Sequence, residues 1–175
     1  SYMAQDTIPV RYSGKGNIFS GISGGIFVDK NNMNYIFGFL LSKSGNYIYS
    51  SIFGATLTNE SGNINQLPII FPKQESTKQT IDTLTQECID ISKEEWDSRE
   101  TSWDFSKNEL LKYKSDSKIE TAYNNYCQVW SEKFYKLHAN EEELNRLFID
   151  IYELGEELTP DVALKDITIL KSESI

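Results

Sequence analysis

Arg11, Tyr12, Lys15 and Asn17 crowd a turn marked by Gly14 and Gly16, and Lys43 and Asn46 follow in a helical pattern. Guanidinium and ammonium groups can hold phosphates or guanine edges, and an amide can pair with adenine. Each of these side chains also reads as a solvated surface residue. Bond-breaking chemistry has fewer carriers. His138 is the only histidine, which excludes a multi-histidine metal site and leaves no convincing Ser-His-acid set. It falls near the end of a helical pattern, where a protonated imidazole suits the helix dipole. Pro160-Asp161 opens like a metal-dependent nuclease motif, but no Asp/Glu-x-Lys follows on a suitable strand. Cys88 and Cys127 are widely spaced in helix-like segments and read as free thiols of a reducing compartment. The expectation is no catalytic residue and no metal ligand in this chain.

The elements that must position these groups change character along the chain. Residues 7–30 hold short apolar runs punctuated by Gly14, Gly16, Gly21, Gly24 and Gly25, which predicts strands at Ile8–Tyr12, Ile18–Phe19 and Gly25–Val28. Tyr35, Ile36, Phe39, Leu40, Lys43, Tyr47 and Ile48 recur at helical spacing, so one helix is predicted over 33–51. Thr56–Thr58 and Ile64–Phe71 look like closing strands, the latter at an edge because Pro68 and Pro72 cannot donate to a ladder. From Ser76 to about Asp97 the pattern is helical, with Ile81, Leu84, Cys88, Ile89 and Ile91 on one face. Residues 98–117 read as a structured loop with a short helical turn. A long amphipathic pattern then runs from Ser117 and either continues through Asn140 or breaks there. Asn140 can cap a helix, with Glu143 as its capping-box partner, and Gly155 and Pro160 end the run. Trp96, Trp103 and Trp130 fall among apolar helical positions and read as packing residues.

Charge divides the chain in the same way. The formal net charge is −9 over 175 residues. Residues 1–75 carry five basic against four acidic side chains, and the remaining hundred carry twelve against 22. Half of the 22 aromatics fall in the first 75 residues. A near-neutral, aromatic half is joined to an acidic, helix-patterned half, whose acids read as a solvated helix face. No apolar run approaches the roughly 18–20 residues of a membrane span. The start shows no basic-then-apolar leader pattern, which makes the cytoplasm the expected compartment.

Two stretches carry a resemblance. Asn140-Glu-Glu-Glu-Leu-Asn-Arg-Leu-Phe-Ile-Asp-Ile-Tyr-Glu-Leu-Gly-Glu-Glu-Leu-Thr-Pro160 resembles the C-terminal region of large adenine-specific DNA methyltransferases of BREX phage-defence and type IIG restriction-modification systems. Ile91-Ser-Lys-Glu-Glu-Trp-Asp-Ser-Arg-Glu-Thr-Ser-Trp-Asp-Phe105 is similar to a segment such enzymes carry just upstream. Gly62-Asn-Ile-Asn-Gln-Leu-Pro-Ile-Ile-Phe-Pro72 resembles the seam between a target-recognition domain and a long helix. Tyr35-Ile-Phe-Gly-Phe-Leu-Leu-Ser-Lys43 resembles a helix of such domains.

The resemblance implies an α+β fold, with a small mixed α/β target-recognition module over 5–73 and a mainly α-helical scaffold over 74–170. It implies double-stranded DNA as a partner, read by Arg11, Tyr12, Lys15, Asn17, Lys43 and Asn46, and a catalytic domain preceding residue 1 or a partner subunit. S-adenosylmethionine is expected for the full-length enzyme and not for this chain. The Asn/Asp-Pro-Pro-aromatic motif that grips a flipped adenine is missing, and no Gly-rich turn leads from strand to helix as the methyl donor requires. The competing expectation is a helical interaction scaffold that docks onto a methyltransferase without DNA affinity of its own, since acid near DNA costs affinity.

Overall fold

The computed structural model describes residues 8–14, 16–18, 25–54, 61–167 and 169. Its helices are α1 (Met33–Leu41), α2 (Lys43–Phe53), α3 (Ser61–Ile64), α4 (Glu75–Asp97), α5 (Glu109–Lys112) and α6 (Ile119–Ile151), with 3-10 turns at Lys30–Asn32 and Leu164–Asp166. Among the described residues no strand forms, which corrects the expected α+β architecture. Ile8–Tyr12 and Gly25–Val28 are irregular, and Ile64–Phe71 passes from the end of α3 through a turn into unpaired extended chain. Phe19 and Thr56–Thr58 lie outside the described residues.

The chain groups into two compact units, Ser1–Thr85 with Glu143–Pro160 and Gln86–Glu142 with Asp161–Ile175. The expected division lay between residues 73 and 74, ahead of α4.

The first unit shows why the extended segment needs no sheet. The Tyr35 hydroxyl donates to Ile70 O at 2.5 Å. The Tyr152 hydroxyl donates to Pro68 O at 2.8 Å and accepts from Ile70 N at 3.0 Å. Pro68 and Pro72 bring no N–H, so two phenols satisfy groups that a neighbouring strand would otherwise pair. Phenols carry their proton at neutral pH, and burial raises the pKa of both further. Their rings join an aromatic core: Phe39 stacks on Tyr152 at 4.9 Å, Tyr35 stacks on Phe71 at 4.9 Å, and Tyr35 meets Phe148 edge-on at 5.3 Å.

The single helix predicted over 33–51 is two helices broken at Ser42. The buried Ser42 has an extended backbone, its hydroxyl donates to Phe39 O at 2.7 Å, and the same oxygen accepts from Gly45 N at 3.1 Å. One side chain therefore closes α1 and caps α2. Gly45 is required there, because a Cβ would stand 2.1 Å from Phe39 O.

The long amphipathic pattern continues through Asn140 as the 33-residue α6. Asn140 is a buried interior residue whose amide donates to Glu87 Oε2 at 2.9 Å, so it caps nothing. Glu143 pairs with Arg146 instead of a helix start. The helix stops earlier than Gly155. Glu153 takes a left-handed φ of 55°, Leu154 N donates to Ile149 O at 2.9 Å, and Glu153 N donates to Asp150 O at 3.3 Å. This is the Schellman arrangement with glutamate where glycine is usual.

In the second unit Ile91, Trp130, Phe134, Leu137, Ile167 and Ile169 form the core, with Cys88, Tyr126 and Val162 against it. The packing role expected for Trp130 fits this core, and Lys133 Nζ sits 4.7 Å from its ring centre. Trp96 and Trp103 depart from that expectation: they are exposed, Trp103 fully. The Tyr35→Phe and Tyr152→Phe substitutions should each cost about 1 kcal/mol of stability in urea unfolding. A loss of less than about 0.3 kcal/mol for both would mean that the phenols do not replace a ladder.

Candidate nucleic-acid interface

The first unit displays an arm that begins at Ile8. Ile8 is 2% exposed, and its N–H donates to Asn46 Oδ1 at 2.6 Å. Val10 N turns back to Ile8 O at 2.9 Å around Pro9. This three-residue turn suits proline, whose ring fixes φ near the value needed at its centre. Beyond it Arg11 is exposed. Tyr12, half out of the surface, sets its ring edge-on to Phe37 at 6.4 Å. Asn17 is exposed and donates to Gly14 O at 3.2 Å across a turn in which Gly16 has φ 89°. Ile18 stands 97% exposed beside it. Lys15 lies outside the described residues.

The two candidates on α2 are engaged differently. Lys43 N donates to Asn145 Oδ1 at 2.9 Å, and its ammonium donates to Thr159 O at 3.0 Å. Asn145 Nδ2 in turn donates to Pro160 O at 3.2 Å. The Asn46 amide donates to Ser42 O at 2.9 Å, with Leu40 O and Leu41 O each at 3.4 Å. The structure therefore brings Arg11, Tyr12 and Asn17 onto one short exposed arm and turns the Lys43 and Asn46 side chains to backbone carbonyls. Composition alone gave no signal for the Ile8 anchor, because its partner lies 38 residues away.

The second unit is acidic, and several of its carboxylates are paired with lysines. Burial opposes ionisation of Glu94, but hydrogen bonds from Lys112 (2.7 Å) and Lys133 (2.5 Å) outweigh it and hold that carboxyl below its ordinary pKa. Lys93 bridges Asp97 and Asp104. Glu94, Asp97, Asp104 and Lys112, with Lys107 and Glu109, line a cavity of about 320 Å³. Near the end of this unit His138 Nε2 donates to Val162 O at 2.8 Å, and Glu142 accepts from Val162 N at 3.0 Å. His138 therefore helps to seat residues 161–167 on α6. Among the described residues no group of three His, Cys, Asp or Glu side chains converges as a metal site, and no helix is long and apolar enough to cross a membrane.

No family model matches the chain. An adenine-specific methyltransferase PglX from Lacticaseibacillus casei (strain Zhang) is 31% identical over 98% of the chain. The chain is homologous to a segment of adenine-specific methyltransferases. A second relative, the adenine-specific methyltransferase BrxX of Escherichia coli O9:H4 (strain HS), is 29% identical over 81% of the chain. The chain spans only 14% and 11% of the lengths of these two relatives. The resemblance of Asn140–Pro160 and Ile91–Phe105 is thus matched by relationship along nearly the whole sequence.

One acid of the second unit is not paired in this way. Burial pushes the Glu141 carboxyl from an ordinary 4.5 up to about 7, against the opposing influence of His138. The folded state then holds a proton that the unfolded chain releases, so stability falls as pH rises from about 4.5 through about 7. Glu141→Gln should raise stability by about 1–2 kcal/mol at about pH 8, and the gain should vanish toward about pH 4.5 in denaturant titrations.

Proposed function

We propose that this chain is a non-catalytic segment of an adenine-N6 DNA methyltransferase of a restriction-modification or phage-defence system, and that its first unit contacts double-stranded DNA. The observation that carries the reading is the anchored arm presenting Arg11, Tyr12 and Asn17 outward, with Lys15 in the same sequence turn. A guanidinium on such an arm can take a phosphate or a guanine edge, and Asn17 can pair with adenine. Asn46 holds the root of the arm at Ile8, while Lys43 is bonded to Asn145 and Thr159.

The methyl donor belongs elsewhere in this reading. The residues described directly after Gly16, Asn17 and Ile18, are irregular and not a helix N-terminus, so this turn gives no support for an S-adenosylmethionine site. Methyl transfer is assigned to the rest of the protein, acting in a reducing cytoplasm where Cys88 and Cys127 remain thiols.

A second reading has its own observation. The second unit is acidic and exposes Trp96 and Trp103, which suits a scaffold that docks on a catalytic domain or partner subunit without touching DNA. Anisotropy of the full chain with random-sequence duplexes at increasing salt separates the two. DNA contact predicts binding at low salt that weakens linearly on logarithmic axes, with Arg11→Ala lowering the slope by about 1 if that residue holds a phosphate. No binding at low salt, together with tight association to a separately expressed catalytic domain, would contradict the DNA role and favour the scaffold.

A further inference from the structure

We infer that Asn46 is a positioning residue for DNA reading, acting through Arg11 by fixing where the arm leaves the protein. The inference rests on the proposed DNA contact and deepens it.

Asn46 spends all its hydrogen-bonding groups on backbone. Its Oδ1 holds the buried Ile8 N–H at 2.6 Å, while its amide protons face the carbonyls of Leu40, Leu41 and Ser42 where α1 gives way to α2. The arm and the helix junction are therefore joined by one side chain. Releasing that side chain leaves a buried N–H without a partner, which the arm relieves by moving outward. From Ile8 the path is stiff. The turn at Pro9 folds Val10 N onto Ile8 O at 2.9 Å, and the Tyr12 ring rests against Phe37 two residues after Val10. Arg11 lies between these two fixed points and is exposed. A guanidinium held at both flanks meets its target with less conformational freedom to lose, and misplacement of its base would be felt as lost discrimination. Asn46 need not touch a base to produce this.

Two measurements on the full chain test the proposal. The first is amide hydrogen exchange at Ile8, which Asn46→Ala should accelerate about tenfold or more. The second is a double-mutant cycle on a duplex enriched by the wild-type chain from a random pool. Asn46→Ala should weaken that duplex about tenfold in the wild-type background and less than about twofold in Arg11→Ala, because a residue acting through another loses its effect once the other is gone. Pro9→Gly, which leaves the helix junction untouched, should reproduce the loss and keeps the test valid if Asn46→Ala folds poorly. Equal losses in both backgrounds would assign Asn46 an independent role and overturn the inference. Unchanged exchange at Ile8 would overturn it whatever the DNA result. Accelerated exchange with no wild-type binding to any duplex would leave the anchor standing and sink the DNA reading beneath it.

Discussion

Backbone N–H and C=O groups that approach a protein interior must find partners, and in this chain side chains on helices supply them. Asn46 holds Ile8, Tyr35 and Tyr152 hold Pro68 and Ile70, and Asn145 holds Lys43 and Pro160. In the second unit Glu142 and His138 hold Val162. Each of these bonds is of modest net strength, about 1 kcal/mol, but an unmade one costs more than a made one contributes. Irregular segments that would otherwise need a neighbouring strand are therefore fixed in place by polar residues projecting from α1, α2 and α6.

This device links fold to function. An arm carried by a sheet would be held along its length by a ladder. The arm from Ile8 is instead held at its root by Asn46 and at Tyr12 by a ring contact, with Arg11 exposed between them. The acidic second unit contributes in the opposite sense. Lys112 and Lys133 pair with Glu94, and Lys93 with Asp97 and Asp104, which ties three of its lysines to carboxylates. In the proposed reading the DNA contact lies on the first unit, and the helices of the second are left for protein contact.

Much of this was legible from sequence where local signals decide. The period of Ile81, Leu84, Cys88, Ile89 and Ile91 marks α4 to within a residue, and the wording of Asn140–Pro160 marks the relationship to adenine-specific methyltransferases. What failed was decided at long range. Gly-punctuated apolar runs look like strands, but pairing depends on partners that local patterning does not reveal. Asn140 has the side chain of a helix cap, yet Glu87, 53 residues away, claims its amide and lets α6 run on. Ser42 breaks a well-patterned helix because its hydroxyl serves both sides of the break and Gly45 has no side chain to oppose it. Exposed Trp96 and Trp103 defeat the expectation that large aromatics at helical spacing are core. In the candidate interface Arg11, Tyr12 and Asn17 are exposed, whereas the bonds of Lys43 to Asn145 and Thr159 and of Asn46 to Ile8 join residues too far apart in sequence for local patterning to show.

In the proposed reading DNA meets the arm and not the acidic unit. Its most direct test is an amide chemical-shift map of the isotope-labelled full chain as random-sequence duplex is added at low salt. Perturbations should concentrate between Val10 and Asn17 and at the Asn46 side-chain amide, with Gln86–Glu142 unmoved. Shifts concentrated in Gln86–Glu142, or none anywhere at saturating duplex, would contradict it.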